Sequence, residues 1–446
     1  MKKRVLLPVL CAVLMGAQAS PAASKPPSPQ RIDLATALRL AGANNLEVQI
    51  AREKAAEADA NARIAVGQFF PSLSPGLGYR RHEGNLQDVA GAILNADKEQ
   101  FTAGGALAAQ VDLGEALFAS LSTHQLRKAA QHRSDVQRQE TVFQTACAYF
   151  DLVRAHAAEA VAQDAVGIAE DYESQIRQAA DAGLAFKGDV HRSQTQVERN
   201  RLILAQAREQ SKLTGTRLAQ LLRLDSTVAL RAADSGLHPL ELVPLSRSLD
   251  TLVVESLSAR PELKQFAAQL EAARKSRQGA IYGPLIPNAN AQAFYGGLGG
   301  GVGNPGPRNF DQASDYNASI SWRIGPGGLF DFGRIRAHDA RVRASALELE
   351  KTRDEVIRQV VDGHTRIHAL SAQLATTRRA LESAGKTLDL ARERREFGVG
   401  VVLETIQSEQ DLTRARLDYL TILAEQNKAQ YALQRARGAL VPAQVR

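Results

Sequence analysis

From Asn317 to Ile324 polar and apolar residues alternate without a fault. Asn317, Ser319, Ser321 and Arg323 fall on one side; Ala318, Ile320, Trp322 and Ile324 fall on the other, with Tyr316 extending the apolar row. A period of two predicts a strand whose faces meet different surroundings. Three further stretches behave alike. Leu73, Leu77 and Tyr79 alternate with Ser and Gly; Phe101 to Leu113 and Ala289 to Tyr295 alternate with Thr, Gln, Asp and Asn. Each spans about ten residues, the length of a tilted membrane strand. Strands are therefore expected near 72–82, 101–113, 288–297 and 315–324, joined in pairs by loops at 81–100 and 296–314.

Elsewhere the period changes. Val360, Ile367, Leu374, Leu381 and Leu388 recur every seventh residue, as do Val136, Phe143, Phe150 and Ala157. Sustained sevens predict coiled-coil packing. Proline is absent from 76 to 238 and from 327 to 441, so nothing in either run need break a helix. Long helices are predicted at 118–182, 189–224, 331–396 and 403–437. The first would extend roughly 95 Å.

The two runs repeat one plan. "ANNLEV" (43–48) answers "ARPELK" (259–264), and Pro71 answers Pro287. "AGLAFKGDV" (182–190) answers "FGVGVVLET" (397–405), with Gly183 matching Gly398 and Asp189 matching Glu404. A first repeat at 31–235, a linker at 236–255, a second repeat at 256–440 and a tail at 441–446 follow.

Composition sharpens this picture. The chain is 44% hydrophobic but only 5% aromatic, with 23% charged residues among its 446. Ala, Leu, Arg, Glu and Gln dominate, as in long helices packed through narrow contacts. Lys2, Lys3 and Arg4, an apolar stretch from Val5 to Met15, and Ala17-Gln18-Ala19 predict a Sec-type signal peptide over 1–19 and a disordered leader over 20–30. Cys11 follows Leu10 rather than a small residue, so lipidation is not expected. Losing the three N-terminal cations takes the formal +7 to +4, too weak and diffuse a charge to suggest nucleic acid. Only Cys147 then remains, and no internal disulfide is possible.

Four strands cannot close a membrane barrel, and open edges in lipid leave backbone groups unsatisfied. Several copies would have to contribute strands, their apolar rows toward lipid and their polar rows toward a lumen. The leading peptide, the duplicated helix–hairpin–long-helix plan, "LFDFGR" (329–334) and the paired Gly turns resemble the TolC family of outer-membrane efflux and secretion channels. The resemblance covers roughly 31–440. It implies a mainly α protein with a small membrane β part: a homotrimer whose twelve-stranded barrel, four strands per protomer, continues into a helical coiled-coil tunnel. It also implies an outer-membrane location in a Gram-negative bacterium, with a periplasmic extension. Partners would be outer-membrane lipid, a periplasmic adaptor and an inner-membrane transporter of RND, ABC or MFS type.

The same resemblance suggests site residues. Glu404 and, in the first copy, Asp189 match a ring of gate carboxylates. Gln407 stands where family members can carry a second Asp, and Gly400 where a well-known member has Arg. Gly183, Leu184, Gly398 and Val399 would form adaptor-docking tips. Leu329, Phe330, Asp331, Gly333 and Arg334 would make the barrel-to-helix junction, with Asp331 as helix cap and Gly333 leaving space. Tyr316, Ile320, Trp322 and Ile324 would face the membrane.

No catalytic constellation or cofactor motif appears. "GVGNPG" (301–306) fits G-x-G-x-x-G, but prolines follow and no helix opens. His364 and His368 have the i, i+4 spacing of metal ligands, but no Glu follows His364 and no third ligand is near in sequence, so solvated or interface histidines are expected. Nothing suggests that Cys147 is activated. The rival reading is an exported coiled-coil scaffold or adaptor without a pore; an exported hydrolase lacks any catalytic set.

Overall fold

The computed structural model describes residues 30–225, 228–234, 236–303, 306–397 and 401–440. The expected signal peptide, most of the leader, the tail, Gly398 and Val399 lie outside these residues. In chain order the elements are β1 (Gln30–Ile32), α1 (Leu34–Asn44), α2 (Leu46–Gly67), β2 (Ser72–Gln87), β3 (Ile93–Asp112), α3 (Leu113–Asp181), α4 (Lys187–Leu222) and β4 (Leu230–Ala232). The second half holds α5 (Leu249–Ala259), α6 (Pro261–Tyr282), β5 (Asn288–Val302), β6 (Asp311–Ser321), α7 (Phe332–Glu396) and α8 (Val402–Ala436). At 69 residues α3 is about 100 Å long, and α7 is close behind with 65.

The strands depart from expectation at their outer ends. β2 runs on to Gln87 and β3 starts at Ile93, so most of the supposed loop at 81–100 is paired strand. The apolar alternation stops at Tyr79, but pairing is held further out by charge: Arg81 donates to both carboxylate oxygens of Asp97, at 3.2 and 3.0 Å. β5 likewise continues to Val302, leaving only 303–310 as the second loop. β6 begins at Asp311 and stops at Ser321, short of 324; Ile324 keeps one bridge, to Leu329.

Four antiparallel strands form one sheet in the order β2-β3-β5-β6. The helices repeat that arrangement. Beside the sheet, α2, α3, α6 and α7 pack in sequence; further away the order is α4, α3, α8, α7. At every level the chain is thus an arc of four elements with α3 inside it and α7 along one flank. The main core joins α1, α3, α4 and β4 through Leu38, Leu152, Leu218 and Leu222, all fully buried. A second core lies among α5, α7 and α8, around Leu252, Val360, Ile367 and Leu433.

The linker between repeats is stitched to α8. Asn427 Oδ1 accepts from Leu240 N at 2.9 Å, and Gln430 Oε1 accepts from the amides of Leu242 and Val243 at 3.1 and 2.9 Å. Buried amide side chains here satisfy backbone that has no strand to pair with. β1 and β4 form a short parallel pair beside this region. Among the described residues no helix is long and apolar enough to cross a membrane.

Candidate functional site

The register sorts the sheet into two faces. Leu73, Leu77 and Tyr79 stand opposite Leu107, Ala103 and Phe101. Leu107 is in turn opposite Ala293, which faces Tyr316, while Val111 and Ile320 flank Ala289. Apolar rows therefore align across all four strands. The opposite face carries Ser72, Ser74, Thr102, Gln100, Asn288, Asn290, Gln292, Asn317, Ser319 and Ser321.

The apolar face is open to its surroundings: Leu77 is 88% exposed and Tyr316 73%. Ile320, Trp322 and Ile324 are exposed as well. Along β3 the apolar row from Phe101 to Val111 covers about 35 Å, which a tilt near 45° turns into a band about 25 Å tall. Aromatic side chains mark both limits. Tyr79 and Phe101 pack with their rings tilted, 5.0 Å between centres, at one end, and Trp322 Nε1 donates to Leu285 O at 3.2 Å at the other. Beyond Tyr79 the same face becomes ionic, with Arg81, Asp97 and Glu99 in contact. Glycines interrupt the row at 297 and 299, where a Cβ would lie 2.1 and 2.8 Å from Phe310; that ring covers them instead.

The two strand-to-helix junctions differ. After β6 the chain turns through Gly325 (φ +105°) and Gly327 (φ +76°) and holds Phe330 at φ +69°. Asp331 Oδ1 accepts from Arg334 N at 3.0 Å and Oδ2 from Gly327 N at 2.9 Å, so one carboxylate caps α7 and closes the turn. These amides hold its carboxyl below the usual range. Leu329 N donates to Arg323 O at 2.9 Å, and Arg334 reaches Glu115 of α3 at 3.7 Å. At this junction the crowded glycine is Gly328, where a Cβ would lie 2.1 Å from Arg323 O. Gly333 has only an ordinary contact, at 3.5 Å from Asp331 Oδ1.

In the first copy β3 passes directly into α3, capped by Asp112, whose Oδ1 accepts from Glu115 N at 2.9 Å. The corresponding stretch of the first copy, "ALFASL" (116–121), has no Asp, and Asp112 supplies the cap in its place. Gly114 meets Gly283 so closely that a Cβ there would lie 2.0 Å from its carbonyl oxygen.

At the far end, α3 reverses into α4 through Gly183 (φ +76°), with Leu184 N donating to Ala179 O at 2.8 Å. Only a residue that tolerates positive φ makes this reversal cheaply. Leu184 and Phe186 stand 83% and 82% exposed on it. Phe397 and Val401 flank the other tip and are exposed as well.

Asp189 and Glu404 occupy the first turns of α4 and α8, but their partners differ. Asp189 meets Arg192 of its own helix at 3.4 Å. Glu404 Oε1 accepts from Arg394 of α7 at 2.7 Å. Gln407 is exposed. The neighbouring Arg395 lies 4.7 Å over the Tyr172 ring and donates to Gln175 of α3 at 2.6 Å. Tyr172 in turn donates to Val402 O at 3.3 Å. Tyr172, Ile176 and Ile406 pack together, tying the first hairpin to the second.

The family profile described as "Outer membrane efflux protein" matches residues 37–222 and again 252–439. The chain belongs to the outer membrane efflux protein family. The double match coincides with the internal duplication. No curated protein matches in sequence. In fold, the chain is similar to the CmeC outer membrane channel of Campylobacter jejuni, at 15% identity and a TM-score of 0.79 over 92% of this chain and 87% of that one. It is also similar to the outer membrane protein VceC of Vibrio cholerae (19%, TM-score 0.75, 91% and 96%). The open-state MtrE outer membrane channel of Neisseria gonorrhoeae gives 17% and a TM-score of 0.73, over 91% and 89%. A mainly helical, duplicated chain with a small antiparallel sheet is the fold they share.

Several residues of this efflux-family chain escaped the sequence reading. Arg394 and Arg395 precede the turn, whereas the Arg of a well-known member follows it. Glu409 is 11% exposed beside Arg392 at 3.4 Å, and burial pushes its carboxyl upward. It borders a cleft of about 410 Å³ between the hairpins, with Gln196, Asn200 and Thr413. Asp112 did leave a signal, since Glu115 three residues on completes a capping pattern. Burial raises the Cys147 thiol to about 12, which keeps it protonated.

Proposed function

We propose that three copies of this chain assemble into a passive exit duct in the outer membrane. The supporting observation is the four-element arc, open at both ends of the sheet and of each helical layer, with one exposed apolar face. An isolated sheet with bare edges is unstable in hydrocarbon. Three arcs joined β6 to β2 give twelve strands and leave no edge. The apolar band then meets lipid, the Asn- and Ser-rich face lines a lumen, and the helices continue the tube into the periplasm.

In this reading Glu404, with Asp189 in the first copy, narrows the periplasmic end, and Gln407 lines the same turn of helix. Arg394 and Arg395 hold that end together, one within its hairpin and one across to α3. The tips around Gly183, Leu184, Gly398 and Val399 receive a periplasmic adaptor, with Phe186 and Phe397 adding apolar surface. An inner-membrane transporter of RND, ABC or MFS type supplies the energy. The duct itself carries out no chemistry.

The decisive measurement is the oligomeric mass of protein extracted from outer membranes, with detergent and lipid subtracted. A value near three times the 48.1 kDa chain, less its leader, supports the shared barrel. A soluble monomer would overturn it and favour the pore-free scaffold.

A further inference from the structure

His364 and His368 lie one helical turn apart on α7. Val360, Gly363, Ile367 and Leu370 turn toward the core, and helical geometry places the histidines roughly 100° away from that face. Their Nε2 atoms lie 3.2 Å apart, with ring centres 4.5 Å apart and planes inclined by 54°. No packing requirement of the core accounts for this arrangement.

The separation has a chemical meaning. Imidazole nitrogens bind zinc at about 2.0–2.1 Å. A cation equidistant from two nitrogens 3.2 Å apart would be held at an N–metal–N angle of about 100° at that bond length. Such an angle lies between the tetrahedral and the square-planar cis values. We propose that His364 and His368 form a bidentate site for a divalent transition cation, with water in the remaining positions. Among the described residues no cluster of three or more His, Cys, Asp or Glu could hold a metal, so the site is a two-ligand chelate open to solvent. Imidazole pairs suit copper, nickel and zinc, and Cu²⁺ binds most tightly of these. Both ligands come from one chain, so the site does not rest on the channel reading.

The chelate makes the two histidines interdependent, because the second nitrogen binds a cation already held nearby. The test titrates Cu²⁺ alone into the full chain in detergent, by calorimetry and by electron paramagnetic resonance at pH 7.5. The wild type should show a site with hyperfine coupling to two nitrogens. His364→Gln and His368→Gln should each weaken it by about tenfold or more and leave one coupled nitrogen, while oligomeric mass and helicity stay unchanged. The double variant should lose the site. Single variants with wild-type affinity and spectrum, or two-nitrogen coupling surviving in the double variant, would overturn the proposal and mean that the rings merely hydrogen-bond to each other.

Discussion

α3 and α7 follow one plan, with near-equal lengths and the same sevenfold apolar spacing, yet they are buried very differently. α3 sits inside the arc, and its buried row runs from Gly114 through Ala129, Ala146 and Leu152 to Ile176. α7 lies on the flank, where its buried apolar residues are Val356, Val360, Ile367, Leu370, Leu388 and Ala391, while Leu347 and Leu390 stand 65% and 59% exposed. The difference is one of position in the arc. A heptad pattern states that a helix wants neighbours; it does not state whether they belong to the same chain.

That contrast can be attacked at several points, beginning where the largest effect is expected. Tyr316→Lys puts a charge on the apolar face, level with Leu107 near the middle of the row, where a cation near mid-membrane costs about 2–4 kcal/mol. The heat-modifiable trimer should vanish from outer membranes, whereas Asn317→Lys, on the opposite face of the same strand, should leave it intact. Next, Leu152→Ala should cost about 2–5 kcal/mol of stability, read as a lowered denaturant midpoint. Leu347→Glu on α7 should leave helicity alone but release monomer in detergent. If both variants behaved alike, the distinction between inside and flank would fail.

At the tip, Gly183→Glu should abolish export while trimer and barrel persist. A simultaneous loss of the trimer would show that the turn serves folding rather than docking. Glu404→Gln should raise single-channel conductance severalfold and lower cation preference. Arg394→Ala should raise cation preference, because it frees a carboxylate. Asp189→Asn should change both less, since its bond stays within α4. If Glu404→Gln and Arg394→Ala shifted cation preference in the same direction, the Glu404–Arg394 pair would be removed from the gate.

The smallest effect concerns pH. Burial raises the Glu409 carboxyl, so the folded tip holds its proton more tightly than the unfolded chain does. By linkage its contribution favours folding below the ordinary carboxylate range and is lost as pH rises through the elevated folded value. Hydrogen exchange in α8 should quicken across that window and lose the dependence in Glu409→Gln.

Much of this molecule was legible in its residues, and the exceptions share a cause. Period-two rows marked the four strands and period-seven rows the two longest helices, because each row records one face that seeks apolar surroundings. They fell silent past Tyr79, where Arg81 and Asp97 hold the strands by charge. Glu404 was named through the family resemblance, and its place at the gate remains a proposal. Arg394 and Arg395 could not be found that way, since their partners lie ten residues ahead and on another helix. Crowding at Gly114 and Gly328 likewise depends on contacts made only after folding. Gly398 and Val399 remain proposals from sequence alone.

The pair of hydrogen bonds accepted by Asp331 at the head of α7 has a mechanical consequence. That carboxylate fixes both the turn and one first-turn amide of the helix, making the junction a pivot for a rod of 65 residues. With about 98 Å of lever arm, a tilt of about 3° at the pivot sweeps the opposite end through about 5 Å. Angular changes too slight to disturb the strands are amplified along the rod into displacements as wide as a side chain.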